Sequence, residues 1–358
     1  MEIEVFNRTS GETYTSADFI SDFDSLRATE RYYKANDFAL TVFITFKNVT
    51  YLIPDNCLLI DGCFYYIDKV TTESVNEGMM KVSGYSLAAL LKVRVILENY
   101  ARTANPRVIA EDLIKRHAIN PTNIARKTTL LTLSASTVSL SAIQYQNSYG
   151  VVLDEIETLC ETYDFGYRET PSSLTVPSCQ IQFYKGQDKS NVVSFSRSND
   201  TLLDESYENN NYDEANTAIV AGEGEGSARQ IVLINDANTG IERKELYVDA
   251  KDLQSTNDGM TMTAEEYTQA LINRGNSKLS EKQRILLLDG DIDAESALFR
   301  LGEDYENGDI VNVYSERFGL SYNATLTEIE KTWDKDGFHI APTFGKRTPT
   351  ILDIIRRK

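Results

Sequence analysis

Residues 39–46, Ala-Leu-Thr-Val-Phe-Ile-Thr-Phe, set Leu40, Val42, Ile44 and Phe46 at two-residue spacing, which places them on one face of a strand. A hairpin follows. Leu58-Leu59-Ile60 and Cys63-Phe64-Tyr65-Tyr66-Ile67 flank Asp61-Gly62, two residues that accept the positive φ of a type I′ turn. A second turn, Asn76-Glu77-Gly78, leads into Met79-Met80-Lys81-Val82-Ser83-Gly84, so the first ninety residues predict an antiparallel barrel or meander.

The spacing then becomes helical. Ser86 is placed to cap a helix carrying Leu87, Leu90 and Leu91, and Pro106 suits the first turn of another with Ile109, Leu113 and Ile114 inward. A third helix, over about 150–163, aligns Val152, Ile156, Leu159, Cys160 and Tyr163 on one stripe. Short strand patterns at 174–184 and 192–196 complete a mixed α+β segment. Residues 198–228 hold eight acidic residues and no Lys or Arg, which marks a boundary and a mobile crossover. Beyond it come strand patterns at 217–220 and 230–234. Thr263-Ala264-Glu265-Glu266 has the capping-box pattern and should open a helix to about Lys282. Strands are expected at 310–314, 324–333 and 338–341, the last two joined by a turn at Asp334-Lys335-Asp336-Gly337. No repeat of solenoid length is evident.

Composition narrows the classes. At 358 residues the chain has length for two or three domains, and its 41% hydrophobic and 25% charged residues are those of an ordinary globular protein. The start, Met1-Glu2-Ile3-Glu4-Val5, lacks the basic and apolar regions of a secretory signal, and no run reaches the length of a membrane span. A soluble protein made in the cytoplasm is expected. Formal charge is −18, which opposes stable wrapping of nucleic acid; it reads equally as an aid to solubility or as a lumen that DNA must slide past without sticking, and charge alone does not separate the two.

Candidate chemistry is sparse. Cys57, Cys63, Cys160 and Cys179 read as small core residues rather than a disulfide or metal set. His117 and His339 are far apart and without metal-ligand spacing; the first suits a helix end and the second a packed strand. Gly222-Glu223-Gly224-Glu225-Gly226 lacks the lysine of a phosphate loop and carries carboxylates that would repel phosphate, so it reads as a flexible loop. Asp289-Gly290-Asp291-Ile292-Asp293 fails the calcium-loop register, since Arg300 falls at the twelfth position. No Gly-x-Ser-x-Gly elbow is present. No residue is assigned a catalytic, cofactor-binding or metal-binding role, and no cofactor is expected.

Three ordered stretches carry a resemblance. They are Val82-Ser83-Gly84-Tyr85-Ser86-Leu87 with Leu90-Leu91 and Arg94; Arg243-Lys244-Glu245-Leu246-Tyr247-Val248-Asp249-Ala250-Lys251-Asp252-Leu253; and Asn307-Gly308-Asp309-Ile310-Val311-Asn312-Val313, followed by 325–329 and Pro342-Thr343-Phe344-Gly345. Over residues 1–346 the chain resembles the hub proteins of long-tailed phage tail tips, namely the N-terminal module of the tail-associated lysins (Tal) and the Gp37-like siphophage proteins, akin to the contractile-phage baseplate hub. The resemblance implies a β-rich α+β fold with two antiparallel β-barrel domains and a mixed α/β insert. The first barrel would take 1–95 with about 197–222, the mixed domain 96–196, the second barrel 223–345 with the helix at about 263–282, and a basic tail 346–358. It implies a homotrimeric ring in the virion tail tip, beneath a distal tail protein hexamer, seating the C-terminus of the tape-measure protein beside other tip or receptor-binding proteins. DNA would pass only in transit, with no stable membrane insertion. Gly308-Asp309 would be a turn whose aspartate bonds back to the backbone. The chain stops soon after Phe344-Gly345, so a short hub without a lytic extension, or a fragment, is expected. A cell-wall peptidase or glycosidase, or a host-binding adhesin, on a β scaffold is the alternative.

Overall fold

The computed structural model describes residues 1–72, 78–202, 206–257, 260–289 and 298–345. Part of the turn at Asn76-Glu77-Gly78, most of the acidic run after Asp289 and the whole tail 346–358 lie outside the described residues.

Among the described residues thirteen strands join in one sheet. Its path runs Ser206–Asn210, Ile285–Asp289, Gly337–Phe344, Leu320–Asp334, Ser25–Arg31, Asp37–Phe43, Met79–Ser86, Cys63–Thr72, Cys57–Ile60, Ile3–Ser10 and Thr13–Ile20, with Ile310–Ser315 and then Ser194–Ser196 branching from Leu320–Asp334. The path is open at both ends, and no ring of strands closes among the described residues.

Alternation explains why the first part of this sheet curls. Phe38, Leu40 and Val42 are buried, as are Met80 and Val82 across the ladder and Leu58, Ile60, Tyr65 and Ile67 beyond them; all join one core. Asp61 and Gly62 take φ values of 46° and 74° at the hairpin, as the Asp-Gly pair predicts. The strand at 37 ends earlier than its pattern. Ile44 is half exposed and Phe46 is 91% exposed, because Thr45 caps a short helix, α1 (Phe46–Tyr51), by accepting the Asn48 N–H. Local capping overrides the continuing alternation.

A second core gathers Val193, Phe195, Leu202, Val311, Val313, Leu326, Ile329 and Phe344. Leu320–Asp334, fifteen residues long, belongs to both: Leu326 and Ile329 face this core, while Trp333 packs on the first.

The mixed segment packs around α2 (Pro106–Ile114) and α3 (Val152–Tyr163) in a core that also takes Phe6, Cys57 and Phe64 of the first sheet; the predicted inward residues of the two helices are buried, Tyr163 only partly. Ser86 does not cap an α-helix. Residues Leu87–Val93 form a 3-10 helix, and the Ser86 hydroxyl instead donates to Glu169 while accepting the Asn36 N–H at 3.1 Å.

Within the acidic stretch 198–228 the strand expected at 217–220 is present as Thr217–Ala221, with Ala218, Val220 and Ala221 buried, while the strand Ser206–Asn210 is unexpected. A short apolar run outweighs the polar composition around it. Thr217–Ala221 is the middle of a three-stranded sheet with Ile231–Ile234 and Glu245–Asp249, covered on one face by α4 (Ala264–Ser280). Both bonds of the capping box at Thr263 and Glu266 are present. Gly222–Gly226 is anchored rather than loose: Glu223 N–H donates to the Tyr267 hydroxyl at 2.7 Å, and the Glu223 carboxylate accepts the Ser255 N–H at 3.1 Å.

Candidate functional site: a buried joint between the sheets and the insert

Three parts of the chain meet at Tyr32, the buried residue just past the strand Ser25–Arg31. Its N–H donates to the Thr327 carbonyl at 2.9 Å, and its carbonyl accepts the Tyr167 N–H at 3.1 Å. Its hydroxyl accepts the Gly186 N–H, also at 3.1 Å. One buried residue therefore bonds the first curled sheet to the long shared strand, to the mixed insert and to the segment leaving that insert.

Glycines make room for its ring. A Cβ on Gly166 would lie 2.2 Å from Tyr32, and one on Gly308 would lie 2.3 Å from the same ring. Gly308 also holds φ at 97°, which L side chains rarely adopt. At Gly186 a Cβ would come within 1.9 Å of the Gly308 carbonyl oxygen. Two backbones thus pass in direct contact beside an aromatic plug.

Asp309, fully buried, locks this crossing. One carboxylate oxygen accepts the Gln187 N–H at 2.7 Å; the other accepts the Glu306 N–H at 3.0 Å and the Lys189 ammonium at 3.0 Å. The expected bond back to local backbone is there, but two of the three partners lie about 120 residues away. The Tyr184 hydroxyl donates to the Asn307 carbonyl at 2.6 Å, and Arg168 lies over the Tyr184 ring at 3.9 Å while pairing with Glu306 at 3.1 Å.

A charge ladder reinforces the seam where Leu320–Asp334 joins Ser25–Arg31. Arg31 pairs with Asp37 at 2.8 Å and Glu328 at 3.2 Å, Arg27 with Glu330 at 3.1 Å, and Lys331 with Glu30 and Asp61 at 2.6 Å each. Burial alone would lower the pKa of Arg31, but the two carboxylates hold it above its usual range. Arg31 stays charged, and its donors keep both strands in register.

On the insert side, α3 faces the 33–35 loop. Lys34 pairs with Glu161 at 3.3 Å, the Tyr33 hydroxyl donates to Asp164 at 2.9 Å, and the Glu157 carboxylate accepts the Ala35 N–H at 3.1 Å. Burial pushes Glu157 up to about 7, with Asp154 and Glu161 adding repulsion, although the Ala35 bond and Lys34 oppose the rise. Between pH 4.5 and 7 the folded state then holds a proton that the unfolded chain has released, so Glu157 costs stability progressively as pH rises through that window. Glu157→Gln keeps the acceptor for Ala35 and removes the cost. We expect it to stabilise the protein by about 2 kcal/mol at pH 8 and by almost nothing at pH 4.5, read from urea midpoints. A gain independent of pH would refute the assignment.

The residues singled out for chemistry do not converge. His117 is buried, 3.3 Å from Arg126, and burial lowers its pKa so that it stays neutral. His339 is on the far hairpin, 3.7 Å from Asp334. The four cysteines are free; burial pushes Cys57 up to about 12 and raises the others, which keeps them as thiols. Among the described residues no group of three or more His, Cys, Asp or Glu could hold a metal ion, and no helix is long and apolar enough to cross a membrane. Tyr32 and Gly186 carry no motif; only Gly308-Asp309 hinted at the joint.

This architecture is the fold of prophage tail proteins. The chain is similar to the 43 kDa tail protein of prophage MuSo2 from Shewanella oneidensis, with a TM-score of 0.55 and 12% identity over 97% of this chain and 98% of that one. It is similar to the prophage tail protein gp18 of Listeria monocytogenes EGD-e, at 0.53 and 13% over 99% and 98%. It is also similar to a tail protein from Neisseria meningitidis MC58, at 0.54 and 12% over 96% of each chain. No curated protein matches the sequence. The model of the Siphovirus ReqiPepy6 Gp37-like protein family matches residues 2–346, and the chain belongs to that family.

Proposed function

We propose that the chain is a structural, non-enzymatic hub subunit of a phage or prophage tail tip. In this reading three copies form a ring that joins a distal tail protein hexamer to the tip, seats the end of the tape-measure protein and opens for DNA. The two sheet-built lobes sharing Leu320–Asp334 would serve as the barrel-like elements of the ring, each meeting the other lobe of a neighbour, as closed cyclic symmetry requires. Virion localisation and the tail-assembly partners follow from the same reading.

The observation that carries it is the joint at Tyr32. Its buried tyrosines are neutral, its charges are paired, and its close backbone contacts fix the lobes and the insert against one another. Such a centre resists load and transmits orientation; it offers no activated nucleophile and no open acid-base pair.

Light scattering tests the ring. The purified chain is expected at about three times 40.3 kDa at micromolar concentration. A strictly monomeric species would overturn the trimer, and digestion of purified cell wall by the isolated protein would overturn the non-enzymatic role.

A further inference from the structure

Part of the insert carries the opposite charge to the rest of the chain. Residues 92–127 hold eight Lys and Arg against three Asp and Glu, a local +5 within a chain of −18. Three segments bring some of this charge to one surface: the run 92–97, the 3-10 helix Ile124–Arg126 and the turn at Tyr149. Arg94 Nε donates to the Arg126 carbonyl at 3.2 Å, the Arg126 guanidinium donates to the Val95 carbonyl, and the Tyr149 N–H donates to the Ile96 carbonyl at 2.9 Å. Partial burial and the neighbouring Arg94 charge hold the Arg126 pKa below its ordinary value. Among the described residues no carboxylate pairs with Arg94, Arg126, Lys92 or Lys127; the arginines meet carbonyls and the His117 ring, and Lys92 lies over the Tyr85 ring. Cations left without a counter-charge in so acidic a protein call for an anion from outside.

Apolar side chains stand among these cations. Val93, Leu97, Ile124 and Tyr149 are between 56% and 74% exposed. Tyr149 also holds φ at 62°, a left-handed conformation that a bulky residue rarely takes, so the surrounding backbone keeps its exposed ring in place. Phosphate alone, as on nucleic acid, would engage the cations and leave these four side chains in water. A phospholipid surface engages both sets. Headgroup phosphates meet Arg and Lys, while aliphatic tips and a tyrosine enter the boundary beneath them.

We propose that this face of the insert docks reversibly on anionic phospholipid, its four free cations against headgroup phosphates and its four apolar side chains at the acyl boundary. The contact is peripheral, made by side chains at the surface rather than by a span. Taking this +5 from −18 leaves −23 on the remaining residues, which the same lipids repel, so the charge also sets which face approaches. One subunit suffices, whether or not copies form a ring.

Sedimentation of the full chain with vesicles tests the docking. Vesicles of phosphatidylglycerol and phosphatidylcholine in equal parts should bind it roughly tenfold more tightly than phosphatidylcholine alone, and added salt should weaken the binding. Lys92→Glu with Lys127→Glu should abolish that preference. Lys69→Glu with Lys335→Glu, which change the net charge equally elsewhere in the chain, should keep it. Val93→Ser with Ile124→Ser should weaken binding roughly tenfold with an unchanged melting curve. Absence of vesicle binding, equal loss in the two lysine pairs, or full binding by the serine variant overturns the proposal. So does tighter binding to soluble polyglutamate than to the vesicles, which would assign the surface to an acidic protein.

Discussion

Replacing Gly186 by alanine should destabilise the protein by about 3 kcal/mol or more, among the largest effects available from adding one methyl group. The new Cβ would lie 1.9 Å from the Gly308 carbonyl oxygen and 2.6 Å from the Asp309 nitrogen. Both are backbone atoms, which cannot rotate aside. Gly308 is held by its own N–H bond to the Leu326 carbonyl at 2.7 Å and by the ring of Tyr32, so it cannot retreat either. Relief requires separating segment 186–189 from the 306–309 turn, which breaks the Gln187 and Lys189 bonds to Asp309. Gly186 shows no left-handed φ, so the whole effect is steric. Gly11→Ala is the control: its φ of 54° disfavours alanine, but nothing lies within 4 Å, and a cost near 1 kcal/mol is expected. A fall in the first thermal transition of roughly 6–12 °C for Gly186→Ala, against a few degrees for Gly11→Ala, is the expected pattern. Equal shifts would mean that the crossing is not tight.

The elements with local causes were legible in the sequence. Asp61-Gly62 announces its turn because two consecutive positive φ values need such residues, and Thr263 with Glu266 announces α4 because both capping partners sit within one turn. The stripes on α2 and α3 were readable for the same reason. One local contest was decided by a signal weaker than the pattern beside it: Thr45 ends a strand whose alternation runs on to Phe46. The apolar run with Ala218 and Val220 announced its strand even inside an acidic stretch, whereas Ser206–Asn210 gave no such sign. The branching of Leu320–Asp334, paired with Ser25–Arg31 nearly three hundred residues earlier, leaves no local trace, because sheet partners are chosen by burial rather than by neighbouring sequence. The joint is hidden in the same way. Gly308-Asp309 looks like any turn, and only the fold brings Gly186, Lys189 and Tyr32 to it.

Asp309→Leu should be as damaging as the Gly186 change, and a softer series shows why. The leucine removes the acceptor for three donors at once and leaves the Lys189 ammonium facing an apolar side chain. Losing one partner of a buried pair typically costs about 3–5 kcal/mol, much of it from the charge left behind. Asp309→Asn keeps one oxygen to accept a backbone N–H but turns an NH2 toward a donor, so an intermediate loss of about 2 kcal/mol is expected. Lys189→Met tests the balance from the other side: its ammonium is only partly buried, and the Asp309 carboxylate would keep both backbone N–H donors, so about 1–2 kcal/mol should be lost. Combining Lys189→Met with Asp309→Leu should recover part of the single leucine loss, because no unpaired cation remains. If the double variant is as unstable as the sum of the singles, the ion pair contributes nothing and the two N–H bonds alone hold the crossing. Recovery would show that charge pairing and backbone capture act as one unit. If the proposed ring forms, its mass measured on the same variants separates the joint from the assembly: loosening the joint should lower the first unfolding transition before it lowers any oligomeric mass, since Asp309 is wholly enclosed within one subunit.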